Sequence, residues 1–324
     1  MFRSRLLLLS LLALTLLSGC LAARPEPRPE PPGSGPRLGG CPVFPEDHVW
    51  NTPVDGLPVH PNSAAYIASI GADTGLHPDF GAGLWEGAPI GIPYNLADTA
   101  TPRYAFRFDY ADESDPGPYP VPANPRIEGG SDRHLIVLDT DACKLYELFD
   151  VDLTGATWSA GSGAVFDLKG YALRPDGWTS ADAAGLAILP GLVRYDEVAA
   201  GEIRHALRFT ASVTQRAYLW PARHYASSAT DPDLPPMGLR LRLRADFDTS
   251  GFSPEVRVVL EALKKYGMIL ADNGSDWFIS GAPDDRWDND TLVAELRRVK
   301  GSDFEAVDTS SLMLDPDSGR ARRP

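Results

Sequence analysis

Apolar and polar residues alternate in short runs through most of the chain. The runs "YAFRFDY" (104–110), "HLIVLD" (134–139), "KLYELFDV" (144–151), "GAVFDL" (163–168), "HALRFTA" (205–211), "LRLRLRADF" (239–247), "MILAD" (268–272) and "WFISG" (277–281) are bounded by Gly, Pro, Asp or Ser. That is the pattern of short strands with one face turned to a core. A helical period replaces it in "NSAAYIASIG" (62–71), "SPEVRVVLEALKKYG" (253–267) and "DNDTLVAELRRVKG" (288–301). Asn62, Ser253 and Asp290 are the expected N-caps, and Gly71 and Gly267 the stops. "TSADAAGL" (179–186) is expected to add one short helical turn. The fold class is mainly β with a few surface helices, an antiparallel sandwich or barrel-like core carrying long loops. "DESDPGPYPVPANPRIEGGSD" (112–132) and "SSATDPDLPPMG" (227–238) exceed ordinary connections, and long loops on a rigid sheet often carry binding. No internal repeat is visible, which argues against a propeller or solenoid.

The first residues obey a different rule. Arg3 and Arg5 precede the apolar run "LLLLSLLALTLL", too short to span a bilayer comfortably and laid out as a secretory signal. Leu17-Ser18-Gly19-Cys20 resembles the lipobox of bacterial lipoproteins, which implies cleavage before Cys20 and acylation of that residue. Leu21 after the cysteine implies, by the same resemblance, sorting to the outer membrane of a diderm host. Residues 21–40 are proline-dense and read as an extended tether. The expected organisation is a signal over 1–19, a lipidated Cys20 with tether to 40, one β-rich domain over 41–310 and an unstructured tail over 311–324. With Cys20 lipidated, Cys41 and Cys143 remain for a disulfide in an oxidising compartment. The formal charge of −14 argues against nucleic acid as main partner.

Several ionisable residues fall on apolar strand faces. Glu147 alternates with Leu145 and Phe149, Asp167 with Val165, His134 with Ile136 and Leu138, and His205 with Ile203, Leu207 and Phe209. A carboxylate among hydrophobes has a raised pKa and suits general-acid work; a second, ionised one suits a base or nucleophile. Glu147 and Asp167 are therefore the candidate pair for glycan cleavage, with His205 or His224 orienting substrate. Pairing of these carboxylates with Arg194 or Arg208 in a structural network is the competing account. Asp182, in the functionally dense stretch 177–210, could join His205 and His224 in a metal site, or Ser180 in a nucleophilic triad; no GxSxG turn surrounds Ser180. Trp178 and Trp220, beside Gly- and Pro-rich segments, are candidates for stacking on sugar rings. Arg240 and Arg242 alternate with Leu239, Leu241 and Leu243 as an outward ladder suited to a uronate-rich glycan. The aspartates of "NGSDWFISGAPDDRWDND" offer oxygen ligands for calcium without EF-hand spacing, and no cofactor is required.

"GWTSADAAGLAILPGLVRYDEVAAGEIRHALRFT", "PARHYASS" and "KKYGMILADNGSDWFISG" resemble a group of exported bacterial proteins without an assigned activity, over most of residues 41–310. The resemblance implies an extracytoplasmic role and carries over no catalytic residue. The expected function is a surface-anchored lipoprotein acting on extracellular polysaccharide, with a non-catalytic glycan-binding module or a structural envelope protein as alternatives.

Overall fold

The computed structural model describes residues 35–154 and 157–323. The signal, Cys20 and nearly all of the tether lie outside the described residues. Two sheets carry the fold. Sheet A is built from β2 (Tyr94–Ala97), β3 (Leu135–Asp139), β4 (Lys144–Phe149) and β5 (Ser162–Asp167), in the spatial order β5-β4-β3-β2. Sheet B contains β1 (His77–Asp79), β6 (Leu207–Ala211), β7 (Arg240–Leu243), β8 (Met268–Asn273), β9 (Phe278–Ser280) and β10 (Phe304–Ala306), in the order β10-β7-β8-β6-β9-β1. The fold is mainly β with few helices, as the alternation predicts. Both sheets are mixed: β2 runs parallel to β3, β8 to β6 and β1 to β9, and neither closes into a barrel.

Sheet A is buried on both faces. Ile136, Leu138, Leu145 and Phe166 join the main core, while Leu135, Val137, Tyr146 and Leu148 meet Phe106, Phe108, Tyr119 and Trp158. The expected strand over 104–110 survives only as short pairings at Arg103–Tyr104 and Arg107–Phe108, because these residues serve as an aromatic cover and not as a ladder. On sheet B, Leu207, Phe209, Leu241, Met268 and Ile279 are buried in the main core with apolar residues of α1 (Ser63–Ile70), α3 (Pro254–Lys265) and α4 (Asn289–Leu296). Gly267 closes α3 at φ 67°, where a Cβ would stand 2.1 Å from the Leu241 carbonyl oxygen; only glycine fits there.

Several local expectations need correction. The α4 cap is Asp288, which accepts from the Thr291 amide, and Asp290 lies inside the first turn. Neither Asn62 nor Ser253 makes a side-chain cap bond; the Ser253 hydroxyl donates to Glu295 instead. "TSADAAGL" forms bends without a helix, while α2 (Tyr195–Ala200) appears where no helix was expected. The disulfide Cys41–Cys143 is present and joins the first described residues to the β3–β4 turn. The tail is ordered through Arg323: the Ala321 amide donates to Asp47, Arg320 pairs with Asp47, and Trp220 donates to the Ser318 carbonyl.

Candidate functional site

The register of sheet B gathers its polar side chains on one face. Ser280 pairs with Asp79, Phe278 stands opposite Thr210, and residues two apart share a face, so Asp79, Ser280 and Arg208 line up across three strands. A bulge supplies the fourth member. Between Phe209 and Thr210 the β6–β8 register slips, so that Thr210 faces Asp272 instead of Ala271. That one-residue shift turns Asp272 from the apolar side to the Arg208 side. Arg208 Nε and Nη2 donate to the two Asp182 oxygens, both at 2.9 Å. Nη1 donates to Ser280 Oγ at 2.6 Å, and Nη2 also reaches Asp272 at 3.2 Å.

Sheet A contributes from its inner face. Ile136 pairs with Tyr94 on one side and Glu147 on the other, and His134 lies two residues before Ile136, so Tyr94, His134 and Glu147 point the same way. The segment 180–189 is wedged between the two polar faces. Its Ile188 and Leu189 amides donate to Glu147 at 2.9–3.0 Å, its Ala181 carbonyl meets His134 Nε2 at 3.0 Å, and its Asp182 clamps Arg208. The loop before β3 is pinned by Asn95, whose side chain accepts from the Arg126 amide and donates to the Arg126 carbonyl. From there the loop returns Glu128 to His134, where carboxylate and Nδ1 are directly bonded.

These neighbours set the charge states. Burial opposes protonation of His134, but the bond to Glu128 and its charge outweigh burial and lift the imidazole pKa to about 9. His134 therefore stands as an imidazolium at neutral pH, bonded to Glu128. Burial raises Glu147 to about 7 against the two amides that favour its anion. Asp272 is likewise raised to about 7, by burial and then by the charge of Asp182. Asp79 is raised by burial and by the charge of Glu128. It is nevertheless an exposed residue, at the mouth of the cluster. Glu128 and Asp272 are reached in part, with side chains 17% and 24% exposed, whereas Asp182 and Glu147 are sealed.

Beside this mouth stands a hairpin, Leu84–Trp85 paired with Ala88–Pro89. A Cβ on Gly129, next to Glu128, would lie 2.4 Å from Ala88 Cβ, so the hairpin rests directly on the Glu128 loop. Trp85 is 72% exposed. An acid–base cluster with a bare indole beside it can protonate, accept a proton and hold a flat apolar ring face. A groove of about 670 Å³ along α3 is lined by none of these residues.

The residues nominated from sequence fare differently. Glu147 and Asp167 are not a pair: Lys144 is opposite Asp167 and Ala164 opposite Glu147, which sets the two carboxylates on opposite faces and roughly 10 Å apart along the strands. His205 is buried, bonded to Glu197 at 3.0 Å and to the Ala206 carbonyl. His224 meets the Ala183 carbonyl through Nδ1 and stacks on Tyr225. Asp182 is spent on Arg208, and Ser180 Oγ donates to backbone carbonyls, so neither triad nor histidine metal site assembles. Among the described residues no group of three or more His, Cys, Asp or Glu is arranged to hold a metal. In the candidate calcium loop, Asp276 accepts from Ser212, Asp284 binds Arg286 and Asp288 caps α4. Trp178 lies against the Arg174 guanidinium, and Trp220 packs on a small cluster around Val54 and Leu312. In the arginine ladder Arg240 and Arg242 are covered, and Arg244 at its end is exposed. Arg240 is buried and donates to the carbonyls of Tyr266, Val49 and Thr52, and Arg242 to those of Val54, Asp55 and Leu57. The residues that sequence reasoning missed are Asp79, Glu128 and Asp272; Arg208 figures there only as a structural partner for Glu147 or Asp167, and His134 only for its place on an apolar face.

No protein-family model matches the chain, and neither the curated proteins nor the solved structures contain a match.

Proposed function

We propose that the protein is an extracytoplasmic, lipid-anchored enzyme that cleaves an extracellular polysaccharide at the mouth formed by Asp79, Glu128 and His134. Asp79 is the general acid. Its raised pKa keeps a protonated fraction available to the leaving oxygen, and its exposure lets a substrate reach it. Glu128, bonded to the His134 imidazolium, is the base or nucleophile on the other side of the bond. Arg208 and Asp272 are positioning residues behind them, and Trp85 offers a stacking surface for a sugar ring. The observation that carries this reading is one solvent-reached carboxylate with a raised pKa beside a second one bonded to an imidazolium.

The test is a polysaccharide panel read for new reducing ends and for unsaturated uronates, with wild type, Asp79→Asn and Glu128→Gln. Turnover lost in both variants, with circular dichroism unchanged, supports the proposal. Wild-type binding without any bond cleavage would make the protein a glycan-binding module, and turnover that survives both substitutions would place the chemistry elsewhere.

A further inference from the structure

A second polar cavity, of about 120 Å³, opens where β2 approaches the start of α2; Tyr94, Arg126, Arg194, Asp196, Asp284 and Arg286 are in its wall. Arg194 is the unusual member. Its side chain is 1% exposed, and Nη2 pairs with Glu197 at 2.8 Å and donates to the Arg37 carbonyl at 3.4 Å. Nε lies 3.4 Å from Asp196 without a hydrogen bond, and Nη1 has no acceptor among the described residues. Native proteins rarely leave a buried guanidinium edge unmet unless something else meets it.

The neighbours face the same cavity. Arg286 is committed to Asp284 through two bonds of 2.6–2.7 Å and lies over the Tyr195 ring. Arg126 is exposed, and its backbone is fixed by Asn95. Its guanidinium makes no hydrogen bond or ion pair among the described residues. Burial raises the Tyr94 phenol pKa, so this group is a neutral O–H donor beside both arginines. Three donors thus line a cavity of about 120 Å³, room for a small anionic group, with the Asp196 and Asp284 carboxylates also in its wall. Guanidinium forks and a phenol suit a planar carboxylate.

A wider cleft of about 440 Å³ shares Arg126 and Asp284 with this cavity and continues along Leu84 and Pro89 of the exposed hairpin. Arg126 and Glu128 belong to one loop, so the anion cavity and the candidate catalytic mouth are joined by a few residues of chain. We infer that the Tyr94–Arg126–Arg194 cavity binds the carboxylate of a uronate unit, which makes the substrate an acidic polysaccharide. This rests on the glycan-cleaving reading above and names its substrate class.

Isothermal titration of the full protein with glucuronate, glucose and inorganic sulfate tests it. Glucuronate should bind where glucose at equal concentration does not. Arg126→Ala should weaken glucuronate by about tenfold, and Tyr94→Phe by a few-fold, both with unchanged circular dichroism. Arg126 is exposed, so its loss does not threaten the fold. The inference fails if glucuronate binds no better than glucose, if both variants bind it as wild type does, or if sulfate binds more tightly than glucuronate. The two proposals separate cleanly in the polysaccharide panel. Turnover confined to neutral glycans keeps the enzyme and removes the uronate pocket. Glucuronate bound through Arg126 with no glycan cleaved keeps the pocket and removes the enzyme.

Discussion

Asp79 and Glu147 both have raised pKa values, yet their surroundings assign them opposite work. Glu147 is fully buried and accepts from the Ile188 and Leu189 amides, so it holds the inter-sheet wedge to β4. Glu147→Leu leaves two buried N–H groups without acceptors and should cost about 2–4 kcal/mol in urea denaturation, while activity per folded molecule stays unchanged. Asp79 is exposed and has no buried donor depending on it. A carboxyl group whose pKa is raised in the fold contributes stability below its unfolded value that is lost as pH rises through the raised value. Asp79→Asn removes that pH-dependent loss, so it should leave the denaturation midpoint at pH 7 unchanged or slightly higher. Turnover should meanwhile fall by a factor of about 100 or more. A midpoint shift with activity retained would reverse the assignment.

At the scale of elements, the segment 41–57 is stitched to both sheets by contacts of different kinds. Arg240 and Arg242 reach from β7 to the carbonyls of Val49, Thr52, Val54, Asp55 and Leu57, and Cys41 binds Cys143 at the β3–β4 turn. The cysteines are 102 residues apart, and a loop of that length corresponds to about 4.7 kcal/mol in the chain-entropy model. Cys41→Ser with Cys143→Ser should lower stability by roughly 3–5 kcal/mol, measured by urea denaturation, and reductant should no longer change the midpoint. An unchanged midpoint would mean that the arginine contacts alone hold the segment. The central strands were legible in the sequence because each buries a face and so alternates. The same pattern misdirected the reading of Arg240 and Arg242: alternation shows which side of a sheet a residue takes, not what covers that side. β1 contains Pro78 and spans only His77–Asp79, too short for any period to show. Asp272 reaches Arg208 only through the β6–β8 bulge, and Glu128 reaches His134 by a loop closure. Neither leaves a mark in local spacing, so the candidate site was hidden while most of its scaffold was not.

Over the whole molecule, the buried ionisable groups make stability depend on pH in a direction that can be worked out. His134 rises from 6.5 to about 9 on folding, so its contribution is full below pH 6.5 and is lost as pH climbs through 9. Glu147 and Asp272, raised to about 7, act in the same sense but at lower pH, from roughly 4 to 7. His48 opposes them. Burial lowers it to about 3, so its contribution is present above 6.5 and fades as pH falls toward 3. Between pH 8 and 9, then, His134 is the group among these whose folded form is still giving up its proton. Urea midpoints for wild type should decline across that window, by an amount bounded at about 3 kcal/mol for a shift of this size. His134→Gln keeps a side chain able to donate to Glu128 but cannot titrate, and its midpoint should be flat from pH 8 to 9. If the variant declines as steeply as wild type, His134 is not held as an imidazolium, and Arg208 is the cation that faces Glu128 at the mouth.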